Sequence, residues 1–119
     1  MAKKVVIDAG HGGDDPGTIA NGIVEKNYTL LISKYIKNRL DQLGIDASLT
    51  REIDESLTPS NRPKRIQSFY GKGDDVIVLS NHINAGGANG CYCKLISFFT
   101  ISTIWITNSI IRVFKYISF

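Results

Sequence analysis

Short apolar runs alternate with amphipathic stretches along the first 90 residues, and this alternation predicts strands and helices in turn. Three of the runs, at residues 4 to 8, 45 to 50 and 75 to 80, have the length of strands. The first and third are rich in Val and Ile and are bounded by Gly, Asn or Asp, which is typical of interior strands in a parallel sheet. We therefore predict a sheet of parallel strands.

Two helices are predicted between these strands. The longer covers residues 24 to 43, where apolar residues recur at a spacing of 3.6 and Gly44 is suited to end the helix. The shorter begins after Thr58 or Ser60, either of which can cap it, and continues to about Tyr70. Because strands alternate with helices, we predict an α/β fold, a three-layer sandwich around a mostly parallel sheet. The predicted buried face of the longer helix contains Val24, Tyr28, Leu31, Ile32, Tyr35, Ile36 and Leu43.

Composition narrows the classes of function. The chain has 119 residues, enough for one small domain, and its net charge of +3 comes entirely from Lys94, Arg112 and Lys115. Since the first 90 residues are neutral overall, nucleic acid is not predicted as a partner, and the chain is predicted to be a monomer. The N-terminus lacks the apolar stretch and cleavage site of a secretory signal, so we predict synthesis in the cytoplasm.

The chain changes character after Gly90. Residues 91 to 119 contain no acid, Gly or Pro, but they hold seven of the eleven aromatic residues. Residues 95 to 111 carry no charge, which is close to the shortest length of a membrane-spanning helix. Ser, Thr and Asn dilute this run and its β-branched residues suit strands equally, so a membrane span is disfavoured. A third interpretation is that the segment reflects A/T-rich DNA read out of frame.

Histidines follow the first and third predicted strands, and their placement suggests a metal site. We expect His11 and His82 at the same edge of the sheet, since parallel strands have their carboxyl ends at one edge. Glu25 opens the longer helix, where the helix dipole favours an acid and its side chain can point back to the strand ends. Two imidazoles and one carboxylate leave a tetrahedral Zn²⁺ with one open corner, as in catalytic zinc sites.

Several motifs occur together in an order typical of one enzyme family. They are the residues 6–13 (VIDAGHGG), 15–17 (DPG), 25–27 (EKN), 49–51 (LTR) with Asp54 and Arg62, and 80–85 (SNHINA). Together they resemble the zinc-dependent N-acetylmuramoyl-L-alanine amidases, which include endolysins. The resemblance implies that His11, Glu25 and His82 are the zinc ligands. It also implies that the substrate is the amide joining N-acetylmuramic acid to L-alanine in peptidoglycan, reached after release from the cell.

The same resemblance implies that part of the family's domain has no counterpart here. Residues 1–90 correspond to the N-terminal two-thirds of an amidase catalytic domain, and residues 91–119 form an atypical apolar tail. The chain is thus predicted to be truncated or frame-shifted after about residue 90. The fold would then be incomplete at its C-terminus, with apolar surface exposed at Val6, Val76 and Val78.

No catalytic residue is identified, because the family's late glutamate, its general acid/base, has no match. No Asp or Glu follows Asp75, and Glu52 and Glu55 lie in a stretch predicted to be an exposed loop. Without a general base, hydrolysis loses a contribution of roughly 10²- to 10⁴-fold. Two functions therefore stay open. One is zinc-dependent hydrolysis of the peptidoglycan amide. In the other, the chain is an inactive remnant of such an amidase that binds zinc or the cell wall.

Two further patterns are assigned structural roles. Gly10 to Gly13 partly match a phosphate-binding loop, but Asp15 occupies the position of the third glycine and the helix begins too late, so nucleotide binding is disfavoured. Arg51 and Arg62 are predicted to pair with acids such as Asp54 rather than to contact substrate.

Overall fold

The computed structural model of the chain describes residues 3–85 and 91–99, with the backbone alone for residues 84, 85 and 91–99. A four-stranded sheet with the order β4-β1-β5-β6 forms the centre, and a two-stranded hairpin, β2-β3, lies outside it. The elements are β1 (Lys4–Ala9), β2 (Ile19–Ala20), β3 (Ile23–Val24), α1 (Glu25–Gln42), β4 (Ala47–Leu49), α2 (Asn61–Tyr70), β5 (Val76–Ala85) and β6 (Cys91–Phe99).

The three predicted strands form the parallel part of the sheet. β1 pairs in parallel with β4 on one side and with β5 on the other, and the register joins Ala9 to Asn81. β6 is antiparallel to β5, so the sheet is mostly parallel, as predicted. The predicted end of the third strand at residue 80 is wrong. β5 continues to Ala85 because β6 pairs with it as far as the Ala85–Cys91 register pair, so His82 lies within the strand.

The two faces of the sheet are covered by different helices, which confirms the three-layer α/β sandwich. On one face Val5 and Ile7 pack with Ile36 and Leu40 of α1. Successive residues of a strand point to opposite faces, and the other face therefore carries Val6. There the buried residues Val6, Val76 and Val78 pack with Ile66 and Tyr70 of α2. The expectation that these three valines are exposed is wrong, because α2 covers them.

The buried face of α1 differs in part from the predicted one, although Ile36 packs against the core as predicted. Tyr28, Leu31, Tyr35 and Leu43, all predicted to be buried, are exposed. The residues that α1 buries are Glu25, Thr29 and Ser33. The physical reason is that the first half of α1 packs against polar strand ends, where Thr29 donates a hydrogen bond to the carbonyl of Gly10 and accepts one at its own carbonyl from Asn81. Hydrophobic periodicity cannot detect such a polar contact.

The described part of the C-terminal segment is a strand. Residues 91–99 form β6, in agreement with the strand interpretation of this stretch. The membrane-spanning helix considered for residues 95–111, which the sequence disfavours, would begin inside β6. Residues 100–111 lie outside the described residues. Within 3–85 and 91–99, neither helix combines the length and the apolar character needed to cross a membrane.

Candidate metal centre

The three predicted ligands meet at the carboxyl edge of the parallel strands. His11 lies two residues after the end of β1, and Glu25 is the first residue of α1. His82 lies in β5, one residue after Asn81, the last residue of β5 that pairs with β1. Their ligand atoms form a group within 4.8 Å of one another. The structure therefore brings together three side chains that lie far apart in the sequence.

The geometry of this group fits a tetrahedral metal ion. His11 Nε2 lies 3.1 Å from Glu25 Oε1, and His82 Nδ1 lies 3.2 Å from each of these two atoms. Bonds of about 2.0 to 2.1 Å at tetrahedral angles would put neighbouring ligand atoms about 3.3 Å apart. Two nitrogens and one carboxylate oxygen are also a donor set that zinc accepts. The residues present thus fit Zn²⁺, and their role as ligands stays a prediction.

Glu25 is buried and held as a carboxylate. Its side chain is only 3% exposed. Burial alone raises the pKa of Glu25, but hydrogen bonds from the backbone N–H groups of Thr18 and Ile83 oppose it, and the pKa is lowered. These N–H groups donate to Oε2 and Oε1, each at 2.8 Å. Glu25 is therefore ionised at neutral pH and oriented by the backbone on both sides of the site.

His11 is oriented by an acid in the glycine-rich loop, residues 10–18, which joins β1 to β2. Its Nδ1 lies 2.8 Å from Asp15 Oδ2, so Nδ1–H can donate there and leave the Nε2 lone pair directed at the site. The hydrogen bond with His11, followed by one from the N–H of Gly17, lowers the pKa of Asp15. Sequence reasoning did not assign Asp15 this role, although an acid four residues after a candidate ligand is a readable signal.

Two glycines allow the backbone to approach the site closely. A Cβ on Gly10 would lie 2.5 Å from His82 Cε1, and a Cβ on Gly17 would lie 2.6 Å from His11 Cδ2 and 2.8 Å from Glu25 Oε2. His11 itself has a φ of 59°, a left-handed conformation that is uncommon for residues other than glycine. The loop is therefore shaped around the imidazoles, and larger residues at positions 10 and 17 would displace them.

The glycine-rich loop is not a phosphate cradle. Its N–H groups already donate to other parts of the chain: Gly12 to the carbonyl of Asp15, Gly13 to Asp54 Oδ1, and Asp14 to Ser56 Oγ. The loop also leads into the β2–β3 hairpin rather than directly into a helix. These contacts agree with the sequence argument against a nucleotide site.

Arg62 pairs with an acid, as predicted, but the acid is Asp8 rather than Asp54. Arg51 does not match the prediction, because its guanidinium donates to the backbone carbonyls of Ala9, Gly10 and Lys26. Asp54 accepts a hydrogen bond from Lys26 Nζ at 2.6 Å instead. Arg62 pairs with the buried carboxylate of Asp8 at 2.8 Å and also donates to the carbonyls of Ala9 and His11. Both guanidinium groups extend to the backbone carbonyls of residues 9–11, beside the candidate metal centre, rather than to the carboxylate of Asp54.

The two acids considered as substitutes for the missing base lie outside the cluster. Glu52 is exposed, as predicted. Glu55 is instead half-buried, and its Oε1 pairs with Arg65 at 2.7 Å. Neither belongs to the group formed by His11, Glu25 and His82.

The fold and this cluster define a class of protein, namely α/β domains with a potential metal-binding His–Glu–His group at the carboxyl edge of a parallel sheet. A sequence model described as N-acetylmuramoyl-L-alanine amidase matches residues 5–109, which extends past the last motif recognised in the sequence. The chain belongs to the N-acetylmuramoyl-L-alanine amidase family.

Individual relatives agree with this assignment. The chain is 37% identical over 89 residues to the N-acetylmuramoyl-L-alanine amidase CwlM of Bacillus licheniformis, covering 73% of this chain and 34% of the relative. It is 40% identical over 86 residues to the endolysin of Bacillus phage SPP1, covering 71% of this chain and 30% of the relative. The chain thus spans about a third of the length of these relatives.

Solved structures show the same fold. The amidase AmiC2 of Nostoc punctiforme has a TM-score of 0.62 and 32% identity, over 73% of this chain and 47% of that one. The N-acetylmuramoyl-L-alanine amidase of Clostridium difficile 630 has a TM-score of 0.63 and 28% identity, over 74% and 47% of the two chains. The described elements therefore correspond to about half of each solved chain.

Proposed function

We propose that His11, Glu25 and His82 bind Zn²⁺ and that the protein hydrolyses the amide between N-acetylmuramic acid and L-alanine in peptidoglycan. The observation that carries the proposal is the separation of 3.1 to 3.2 Å between ligand atoms from three different elements. Membership of the family and the similarity to N-acetylmuramoyl-L-alanine amidases support the substrate. The proposed partner is peptidoglycan. The monomeric state, the lack of a nucleic-acid partner and cytoplasmic synthesis stay predictions.

The chain's own residues would prepare this site for amide hydrolysis. Bound Zn²⁺ supplies Lewis acidity, which polarises a carbonyl and makes water more acidic. Glu25 contributes a negative charge whose direction is fixed by the N–H groups of Thr18 and Ile83. Asp15 holds His11 with Nε2 toward the centre. His11, Glu25 and His82 would supply three ligands to the ion, and a further position would be open to substrate or water.

A second function, binding of zinc or wall without cleavage, is favoured by a specific observation. Residues 76–119 contain no Asp or Glu. Among the described carboxylates near the glycine-rich loop, Asp15 is bonded to His11, Asp54 to Lys26 and Glu55 to Arg65. Each of these three already has a hydrogen-bond partner, and among the described residues the candidate metal-binding group contains no acid other than Glu25.

Metal analysis combined with a cleavage assay tests both functions. We expect one Zn²⁺ per chain, with loss of zinc in His82→Ala and retention in a control variant, Asp41→Asn, whose side chain pairs with Lys37 on α1. Purified peptidoglycan would then be incubated with the zinc-loaded chain, and new L-alanine amino termini measured by mass spectrometry. Zinc with new termini supports the amidase, and zinc without them supports the binding function. No zinc in the unmodified chain would refute the amidase and the zinc-binding function alike.

A further inference from the structure

Arg51 is a buried cation that contacts the backbone on both sides of the candidate centre. It is 1% exposed. Its Nε donates to the carbonyl of Ala9 at 3.2 Å, and its Nη2 donates to the carbonyls of Gly10 at 3.0 Å and Lys26 at 2.7 Å. Nη2 also lies 3.1 Å from Thr29 Oγ1. A buried guanidinium directed at backbone carbonyls is costly to desolvate and needs these acceptors.

The acceptors of Arg51 flank two of the three candidate ligands. Ala9 and Gly10 immediately precede His11, and Lys26 immediately follows Glu25. Thr29 completes the connection, because its hydroxyl donates to the carbonyl of Gly10 at 2.7 Å while its backbone belongs to α1. The end of β1 and the first turn of α1 are thereby joined through one guanidinium and one hydroxyl.

The chemistry of arginine suits this role better than that of lysine. A guanidinium is planar and presents five N–H donors in a fixed arrangement, so it can hold several carbonyls at defined positions. A lysine ammonium keeps the charge, but it has three donors on a flexible stem. Exchange of Arg51 for Lys would therefore leave some of these carbonyls without a donor and release the two segments from one another.

We propose that Arg51 and Thr29 form a positioning clamp that sets the separation of His11 and Glu25 for metal binding, an inference that rests on the proposed zinc site. In this role Arg51 contacts neither metal nor substrate. It acts through the backbone of residues next to the ligands. Disruption of the clamp should therefore lower metal affinity and change coordination geometry. These changes should be larger than the accompanying loss of folding stability explains.

Metal titration of Arg51→Lys tests the clamp. The probes are Zn²⁺, titrated in competition with a chromophoric chelator, and Co²⁺, whose visible spectrum reports coordination geometry. Outer contacts that orient ligands typically change metal affinity about 10- to 100-fold. We expect a loss in this range for Arg51→Lys, together with a changed Co²⁺ spectrum.

Two control variants separate positioning from general destabilisation. Arg65→Lys makes the same chemical change at an arginine that donates to Thr50 and Glu55 rather than to residues beside the ligands. Val76→Ala removes buried volume at the end of β5 remote from His82 and lowers stability by packing loss. Both should retain the affinity and Co²⁺ spectrum of the unmodified protein.

The outcomes distinguish failure of the clamp from failure of the zinc site. An unmodified protein that binds neither metal overturns both. If it binds Zn²⁺ and Arg51→Lys binds equally well, or no worse than Val76→Ala, the clamp alone is overturned. Should Arg51→Lys not fold, Thr29→Val and Thr29→Ser decide, because only serine keeps the hydroxyl. Weaker binding by Thr29→Val than by Thr29→Ser supports the clamp, and equal binding refutes it.

Discussion

At the scale of single residues, the candidate centre depends on backbone conformations that few residue types adopt. His11 has a positive φ, and Gly17, with a φ of 65°, packs against both His11 and Glu25. Glycine adopts such a conformation freely, whereas a residue with a side chain, such as His11, does so where surrounding contacts hold the chain in a functional geometry. Here those contacts are the hydrogen bonds of Asp15 to His11 and to the N–H of Gly17.

Substitution of Gly17 should have two effects. It should destabilise the backbone, which has a positive φ at this position, and it should also disturb the candidate metal centre. We expect Gly17→Ala to destabilise the fold and to weaken zinc binding about 10-fold or more, because its methyl group would displace the His11 ring. Gly22→Ala is the matched control, since Gly22 also has a positive φ, 77°, but nothing within 4 Å of its added Cβ. It should cost about 1 to 2 kcal/mol and leave zinc affinity unchanged. Equal zinc affinities for the two variants would contradict this account.

The ion pair between Lys26 and Asp54 should appear in the pH dependence of stability. The hydrogen bond from Lys26, followed by one from the N–H of Gly13, lowers the pKa of Asp54 below its ordinary value of 3.8. A lowered pKa in the folded state adds stability that is fully present above the ordinary pKa and is lost as pH falls through the folded value. Urea unfolding should therefore show that Asp54→Asn destabilises at pH 7 and loses this effect as pH falls from 5 to below 3.

A double-mutant cycle provides the control for the Asp54 effect. In a Lys26→Met background, Asp54→Asn should cost less at pH 7, because the main cause of the lowered pKa has been removed. The pair is exposed at Asp54, so added salt should also reduce its contribution. An effect of Asp54→Asn that is the same at pH 3 and pH 7 would contradict the assignment.

At the scale of elements, the order of strands and helices could be predicted from sequence, but the buried face of α1 could not. Periodicity locates apolar residues, whereas burial depends on the surface that the helix meets, and α1 meets polar strand ends. Similarly, His11, Glu25 and His82 could be predicted to converge, because parallel strands end at one edge. The contacts of Arg51 and Asp54 could not, since they join loops about forty residues apart in the chain.

The corrected orientation of α1 makes a direct prediction. Leu31 is 64% exposed, so Leu31→Lys should change the free energy of unfolding by no more than about 0.5 kcal/mol. Ser33 is 0% exposed, so Ser33→Leu should destabilise by about 1 to 3 kcal/mol through overpacking. Urea unfolding of both variants measures these values. If the apolar face predicted from sequence were the buried one, the order of the two effects would be reversed.

At the scale of the whole molecule, the candidate centre connects three elements that the sheet holds in place. Its candidate ligands lie just after β1, at the start of α1 and within β5. A metal ion bound to all three would favour the folded state, because the unfolded chain does not hold these residues together. Zinc binding should therefore be visible as a change in stability of the entire domain.

Zinc addition and removal test this connection. At a free zinc concentration of 100 times Kd, linkage predicts a gain of about 2.7 kcal/mol. For a domain of about 100 residues this raises Tm by roughly 10 to 20 °C. Chelation with EDTA should reverse the shift, as measured by thermal unfolding. His82→Ala should show little response to either addition, and a full response in that variant would exclude His82 as a ligand.

The register of β1 also has a consequence for synthesis on the ribosome. β1 pairs with β4 on one edge, while its other edge has no partner until β5 is made, since Lys4 pairs with Val76. At about 5 to 20 residues per second, translation from the end of β4 to the end of β5 takes roughly 2 to 7 seconds. During this interval the nascent chain exposes an unpaired apolar strand edge that is open to non-native pairing. With His82 as a metal ligand, as proposed, metal binding would also be a late step, because His82 belongs to the strand that pairs with this edge.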